Sequence, residues 1–175
     1  MTIYVNSEYC SLDLGNENYL LFDFSDLEKV EEAKNKYDLR LLDGYVKFKL
    51  ENGDFIGMHR YLYGATKGCG IVDHKDGNGL NCQKENLRYV TPQQNSWNTP
   101  GRNDPDMKGV SWDRQSINYR VRFRINGRSI NGGRFGDPIT AAMCANQLME
   151  IHHKNFARFN DIESLRFRLF KGSVK

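Results

Sequence analysis

Asp73 and His74 stand side by side in the stretch IVDHKDGN, directly before a loop rich in Gly and Asn. Neighbouring side chains on a strand point to opposite faces, so a carboxylate and an imidazole at a strand end can serve different functions. The carboxylate is a hard oxygen ligand of the kind that Mg²⁺ prefers, and the imidazole titrates near neutral pH. The pair therefore predicts hydrolysis assisted by one divalent cation, with His74 as the general base.

Two asparagines downstream complete the predicted constellation. The stretch TPQQ indicates a helix that begins with Thr91 as its N-cap and Pro92 at its first position. This helix would carry Asn95 to within reach of Asp73, so that an amide oxygen and a carboxylate converge on one ion. Asn86 lies before the second strand, where we expect its amide to hold the loop or to orient the imidazole.

The elements around the motif are predicted from periodicity and turn residues. Residues 18–24 favour a strand, and Ser25 with Glu28 predicts a capping box at the start of a helix. A hairpin follows, with Asn52-Gly53 as a two-residue turn. Residues 59–64 indicate a short helix, and residues 71–98 follow the order strand, loop, strand, helix.

The stretch VDHKDGNGLNCQKENLRYVTPQQNSWN resembles the HNH nuclease motif of phage and intron homing endonucleases. The resemblance implies a ββα-metal (His-Me finger) fold, with Asp73 and Asn95 as metal ligands, His74 as general base and Asn86 as the asparagine that orders the loop. Asparagine at the last position favours Mg²⁺ or Mn²⁺, one ion per active site. His59 and Arg60 also fit this group; they are candidates for a phosphate contact or for a structural role.

The stretch NYRVRFRI in the C-terminal half alternates apolar residues with Arg120, Arg122 and Arg124. The period of two predicts a strand with one apolar face and three aligned arginines on the other. Since folding does not require three aligned like charges, we expect an external anion as their partner. A sheet can enter the major groove of DNA, where arginine reads guanine edges.

This half also resembles the Apetala-two, or ethylene-response-factor, DNA-binding domain, over residues 108–160. The matching pieces are KGVSW, YRVRFRI, GRF and AAMCANQLMEIHHKNFARFN. The resemblance implies a three-stranded antiparallel sheet, backed by one helix and laid in the major groove. It departs from that family at Ser111 and Asn131, so base specificity is expected to differ. The predicted DNA-binding residues are Lys108, Ser111, Arg122 and Arg124 by position, and Arg114, Arg120 and Arg128 from alternation and charge.

Charge and composition limit the classes of protein to which this chain can belong. Residues 1–100 carry 11 Lys and Arg against 15 Asp and Glu, whereas residues 101–175 carry 14 against 7, so positive charge is concentrated where DNA binding is predicted. No apolar run approaches the ~20 residues that cross a bilayer. The N-terminal residues do not resemble a signal peptide, which favours an intracellular protein in the cytoplasm of the cell that hosts a phage or mobile element. Cys69 and Cys82 with a histidine leave a zinc site as an alternative.

We therefore predict an α+β protein that hydrolyses phosphodiester bonds of double-stranded DNA, as a site-directed HNH endonuclease of the homing type. The predicted division is a nuclease region at 1–98 with its core at 59–98, a linker at 99–107, a DNA-binding domain at 108–160 and a basic tail at 161–175. A single site in a monomer predicts nicking. Neither a membrane nor an obligate protein partner is expected. The alternative is a DNA-binding regulator with a vestigial nuclease site.

Three smaller expectations concern the C-terminal half. Trp112 has the parity of Val110, which favours a place in the core. His152 and His153 fall near a helix end, where contact with the helix C-terminus is favoured over metal binding. The basic tail either contacts phosphates or packs Leu165 and its alternate apolar neighbours on the body.

Overall fold

A computed structural model describes residues 1–66, 68–101 and 107–172 of the chain. The chain forms two compact units, an N-terminal unit of residues 1–95 and a C-terminal unit of residues 96–175. The predicted linker at 99–107 lies just beyond this division. Residues 102–106 of that linker are outside the described residues, so the linker stays a prediction.

The N-terminal unit contains three small antiparallel sheets and short helices. The first sheet has β1 (Ile3–Val5), β2 (Cys10–Gly15) and β3 (Asn18–Phe22), with β2 in the centre. A 3-10 turn (Phe24–Asp26) leads into α1 (Leu27–Lys36). The second sheet has β4 (Arg40–Leu42), β5 (Tyr45–Lys49) and β6 (Phe55–Gly57), with β5 in the centre. The unit continues with α2 (Met58–Leu62) and the antiparallel pair of β7 (Ile71–His74) and β8 (Leu87–Val90), and it ends within α3 (Pro92–Asn98), whose last three residues belong to the C-terminal unit.

Two local predictions for this unit were wrong. Ser25 does not cap α1; instead its hydroxyl accepts a hydrogen bond from Lys84 Nζ at 2.8 Å, because the 3-10 turn places it at the surface of the motif. The loop that contains Asn52 and Gly53 is longer than two residues, since the ladder ends at the pair Lys49–Phe55. Gly53 supplies the positive φ of +87° that this loop requires.

A single hydrophobic core joins residues 1–58 to the predicted nuclease motif. The core contains Leu12, Leu20, Phe22, Val30, Ala33, Val46, Phe48, Met58, Leu62 and Cys82, all buried. Backbone hydrogen bonds extend the first sheet into the motif loop: Leu21 N donates to Leu80 O, and Cys82 N donates to Leu21 O, each at 2.8 Å. Met58, Leu62 and Cys82 are therefore buried against the region upstream, whereas Ala65, Val72 and Leu87 form a small cluster of their own.

The helix that carries Asn95 is capped as predicted. Gln94 N donates to Thr91 Oγ1 at 3.2 Å, and Thr91 N donates to Gln94 Oε1 at 2.9 Å, so two orphan amides are satisfied reciprocally. Pro92 occupies the first helical position, where it needs no hydrogen-bond donor. This capping box confirms the prediction made for TPQQ.

The C-terminal unit contains one three-stranded antiparallel sheet and two helices. Its strands are β9 (Val110–Asp113), β10 (Asn118–Ile125) and β11 (Arg128–Phe135), with β10 in the centre. The helices are α4 (Pro138–His153), which Asp137 caps through Thr140 N at 2.8 Å, and α5 (Ile162–Gly172); a 3-10 turn (Lys154–Phe156) lies between them.

The inner face of this sheet packs on α4. Val121 and Phe123 are buried against Ala141, Ala145 and Met149, as the alternation along β10 predicts. A bulge in β11 sits beside this core, because the register slips between the pairs that flank Gly132. A Cβ at Gly132 would lie only 2.6 Å from Val121 Cγ1, so the bulge lets strand and helix approach closely.

Two expectations for this unit were wrong. Trp112 is exposed and packs beside Tyr119, its cross-strand partner on β10, with ring centroids 4.7 Å apart. The tail forms a helix in which Leu165 is buried but Phe167 and Leu169 are exposed, so these two do not pack on the body as one alternative required, and the phosphate contact stays a prediction. Among the described residues, no helix is both long and apolar enough to traverse a membrane.

Candidate active site and nucleic-acid interface

Asp73 lies at the third position of β7, directly opposite Arg88 on β8. The guanidinium of Arg88 donates to Asp73 Oδ2 from Nε at 3.0 Å and from Nη2 at 2.9 Å. Both side chains are largely buried, with exposed fractions of 8% and 14%. A charge-assisted contact of this kind fixes the plane of the carboxylate. Sequence reasoning missed Arg88, although antiparallel pairing of the two predicted strands places it across from Asp73.

His74 ends β7 and is buried, with 4% of its surface exposed. Burial lowers the pKa of its imidazole below the ordinary value, while the carboxylates of Asp76 and Asp73 act in the opposite direction. The ring also lies among other rings, since its centroid is 4.9 Å from that of His59. The structure thus holds the predicted general base in a partly desolvated setting, in its neutral form at neutral pH.

The loop that follows His74 is held by Asn86. Asn86 Nδ2 donates to Asp76 Oδ1 at 2.9 Å and to Asn81 O at 2.8 Å, and Asn86 Oδ1 accepts from Asp76 N at 3.1 Å. The backbone adds Lys75 N to Asn86 O at 2.8 Å. All three of these side-chain hydrogen bonds join Asn86 to residues of the loop. Asn86 therefore holds the loop in place rather than orienting the imidazole of His74.

Asn95 lies on α3 in the N-terminal unit and is half-buried, with its backbone amide donating to Thr91 O at 2.9 Å. Its convergence with Asp73 on one ion stays a prediction. Within the described ranges, no three His, Cys, Asp or Glu side chains cluster closely enough to bind a metal. A site here would therefore depend on the amide oxygen. Cys82 is buried, which raises the pKa of its thiol to about 12, and Cys69 is exposed; among the described residues the two do not form a metal-binding cluster with a histidine.

Arg60 has a structural role in the unit. Its guanidinium donates from Nη1 to Gly70 O at 2.8 Å and from Nη2 to Thr66 O at 2.9 Å, which ties α2 to the segment that leads into β7. His59 is half-buried beside the imidazole of His74. His59 and Arg60 were both candidates for a phosphate contact or a structural role. For Arg60 the structure supports the structural role, because its guanidinium donates to two backbone carbonyls.

The outer face of the C-terminal sheet carries the predicted arginines. Arg122 and Arg124 are exposed and Arg120 is half-buried. Each of the three arginines pairs with a residue of β11. They border a cleft of about 750 Å³ that also includes Trp97 and His153. Arg122 Nε donates to Ser129 Oγ at 2.7 Å, which orients its guanidinium along the sheet.

The other predicted DNA-binding residues have different settings. Lys108 Nζ donates to the carbonyls of Ser96 at 2.8 Å and Trp97 at 2.6 Å and to Thr99 O, so its ammonium stabilises a helix end rather than extending outward. Ser111 Oγ donates to Arg120 O at 3.4 Å. Arg114 and Arg128 are exposed. Sequence reasoning also missed Arg134, which lies opposite Arg120 and pairs with Asp113.

Comparison with known proteins agrees with the nuclease motif. The family pattern described as HNH endonuclease matches residues 59–97. The chain is 36% identical over 90 residues to Protein 3.8 of Escherichia phage T7, an alignment that covers 50% of this chain and 74% of the phage protein. No solved structure matches the chain.

The strand pair, its ordered loop and the following helix, together with this match, define a protein with an HNH endonuclease domain. The chain belongs to the same family as Protein 3.8 of Escherichia phage T7.

Proposed function

We propose that the protein is an HNH endonuclease of the homing type that hydrolyses double-stranded DNA with one divalent cation. The observation that carries the proposal is the buried imidazole of His74 beside the carboxylate of Asp73, at the start of a loop that Asn86 holds in place. A shielded base next to a hard oxygen ligand is the pair of groups that metal-assisted phosphodiester hydrolysis needs.

In the proposed mechanism His74 takes a proton from the attacking water. Because burial lowers its pKa, the imidazole is neutral and able to accept that proton at physiological pH. Asp73 and Asn95 would hold the cation, and their hard oxygen donors suit Mg²⁺ or Mn²⁺. When bound, such a cation stabilises negative charge on the phosphodiester oxygens. Arg88 keeps the Asp73 carboxylate in one orientation through its two N–H donors.

We propose that the arginine face of the C-terminal sheet docks on DNA. Arg120, Arg122 and Arg124 lie along one strand and border one cleft. The guanidinium groups of Arg122 and Arg124 are exposed and therefore accessible to the phosphates of a docked DNA. Lys108 supports this docking surface indirectly, because its ammonium stabilises the C-terminal end of α3.

The nuclease proposal is tested by incubating plasmid DNA with the protein and Mg²⁺ or Mn²⁺. We expect nicked product from the wild type, and no cleavage by His74→Ala although DNA binding persists. His152→Ala, a histidine in the C-terminal unit, is the matched control and should cleave normally. Equal cleavage by His74→Ala and the wild type would contradict the general-base role.

The docking surface is tested by the salt dependence of DNA binding. Each phosphate contact contributes about 0.9 to the slope of log K against log salt, so replacing Arg122 and Arg124 by Gln should lower the slope by about 2. Arg40→Gln is the control, because Arg40 is an exposed arginine of the N-terminal unit that pairs with Asp38 at 2.6 Å. An unchanged slope in the double variant would count against the sheet as the docking surface.

A second function has one observation in its favour. Arg88 already binds the carboxylate of Asp73, as it would in a DNA-binding regulator whose nuclease site is vestigial. The plasmid assay separates the two functions, since such a regulator would bind DNA but leave it intact with either cation. Arg88→Gln would then not alter DNA binding, whereas in an active nuclease it should slow cleavage.

A further inference from the structure

Two rings from different elements lie beside the imidazole of His74, the proposed general base. The centroid of the His74 ring is 4.9 Å from that of His59 and 5.6 Å from that of Tyr45, and the rings of His59 and Tyr45 are 5.4 Å apart. All three pairs are tilted, at 47° to 56°. Tyr45 begins β5 and His59 lies in α2, so two elements outside the β7–β8 pair meet at the imidazole.

The backbone leaves room for this arrangement at two glycines. A Cβ added at Gly79 would lie 2.4 Å from Gly44 O and 2.8 Å from the ring of Tyr45. A Cβ added at Gly57 would lie 2.5 Å from Cε1 of His59. Real Cβ atoms do not approach so closely, so both rings are held against backbone that only glycine permits. The rings are thus closely confined between the motif loop and the second sheet.

Hydrophobic packing does not explain Tyr45 and His59. Neither belongs to the three apolar clusters formed by the described residues, and Tyr45 remains 36% exposed. An aromatic ring placed for burial alone would be found inside such a cluster. Burial lowers the pKa of His59 to about 4, and the positive charges of Arg60 and Lys47 act in the same direction. At neutral pH its ring is therefore uncharged and does not repel a protonated neighbour.

We infer that Tyr45 and His59 are positioning residues that hold the imidazole of His74 in the orientation required to take a proton from water. This inference rests on the proposed function of His74. A misplacement of about 1 Å at a reacting group can cost 10²-fold in rate. Loss of either ring should therefore lower the cleavage rate measurably. It also gives residues upstream of the motif a role in catalysis, through the ring that β5 supplies.

The first experiment compares cleavage rates under single-turnover conditions, with enzyme in excess over DNA. We expect His59→Ala and Tyr45→Leu each to slow cleavage by about 10- to 100-fold, with DNA affinity unchanged. His59→Phe keeps a ring at this position and should retain most of the activity. Tyr19→Leu is the matched control, because Tyr19 is also an exposed tyrosine on a strand of this unit.

The second experiment observes the His74 ring directly by NMR, in protein without added metal. Ring currents from Tyr45 shift the Cε1–H resonance of His74, and Tyr45→Leu should move that resonance whereas Tyr19→Leu should not. Far-ultraviolet circular dichroism and thermal unfolding check that each variant is folded. A slow variant with an unmoved His74 resonance would overturn the positioning role.

Other outcomes also decide the inference. Wild-type cleavage rates in both His59→Ala and Tyr45→Leu would overturn it. Rescue by His59→Gln but not by His59→Phe would also overturn it, since a hydrogen bond and not ring contact would then be at work. If the wild type itself fails to cleave, the proposed function fails, whereas the NMR result still reports whether the rings orient His74.

Discussion

Protonation of His153 should destabilise the C-terminal unit in mild acid. His153 is 3% exposed, and its ring stacks on Trp97 with centroids 4.5 Å apart and an angle of 11°. Its buried Nδ1 has no hydrogen-bond partner among the described residues. Burial lowers the pKa of His153 to about 4, and the nearby positive charges of Lys108 and His152 act in the same direction. In mild acid the unfolded state therefore binds a proton at His153 that the folded state does not bind.

The sign and size follow from the difference between the two pKa values. Between about pH 6.5 and pH 4 the unfolded chain binds more protons at His153 than the folded chain, so stability falls as the pH is lowered through this window. A difference of about 2.5 units corresponds to roughly 3 kcal/mol in total. Integrated from pH 7 to pH 5, the loss is about 2 kcal/mol.

The assay is urea unfolding at pH 7 and pH 5, followed by tryptophan fluorescence. Both tryptophans, Trp97 and Trp112, lie in the C-terminal unit, so the signal reports on that unit. His153→Phe keeps an aromatic ring against Trp97 and removes the titrating group, so it should lose about 2 kcal/mol less than the wild type between the two pH values. His152→Phe is the control; it removes only the smallest contribution to the lowered pKa of His153, so it should lose almost as much stability as the wild type.

Parallel losses of stability in the wild type and in His153→Phe would refute this reasoning. The comparison between variants is needed because carboxylates also titrate at low pH. Their contribution is common to all three proteins and cancels in the difference. A His153→Phe protein that is less stable at both pH values, with the same change between them, would show that His153 contributes packing alone.

Two further predictions concern stability and loop order. Gly109→Ala should destabilise the C-terminal unit by about 2–4 kcal/mol in urea unfolding, because the new Cβ would lie 1.9 Å from Phe123 Cζ at a φ of +76°. Gly127→Ala has a similar φ of +79° and open space, so it should cost only about 1 kcal/mol; equal losses would contradict the steric argument. Asn86→Ala should speed amide hydrogen exchange in the loop that its side chain holds, whereas Asn52→Ala in an exposed loop should not.

Local chemistry made several features predictable from the sequence. The capping box of Thr91 with Gln94, the cap at Asp137 and the apolar face of β10 depend on residues close in sequence, so composition and spacing were sufficient. The order of strand, loop, strand and helix around Asp73 and His74 could be predicted for the same reason. Where a local pattern failed, as with Ser25, a long-range contact to Lys84 had replaced the local hydrogen bond.

Contacts between distant segments were decided by the tertiary structure. The ion pair of Asp73 with Arg88, the rings of Tyr45 and His59 beside His74, and the core that joins residues 1–58 to the motif all bring together segments that are far apart in the chain. The sequence by itself determined which residues are candidates for the chemistry, because residue type and local spacing are written in it. The surroundings of those residues depend on how separate elements pack, and no local pattern encodes that packing.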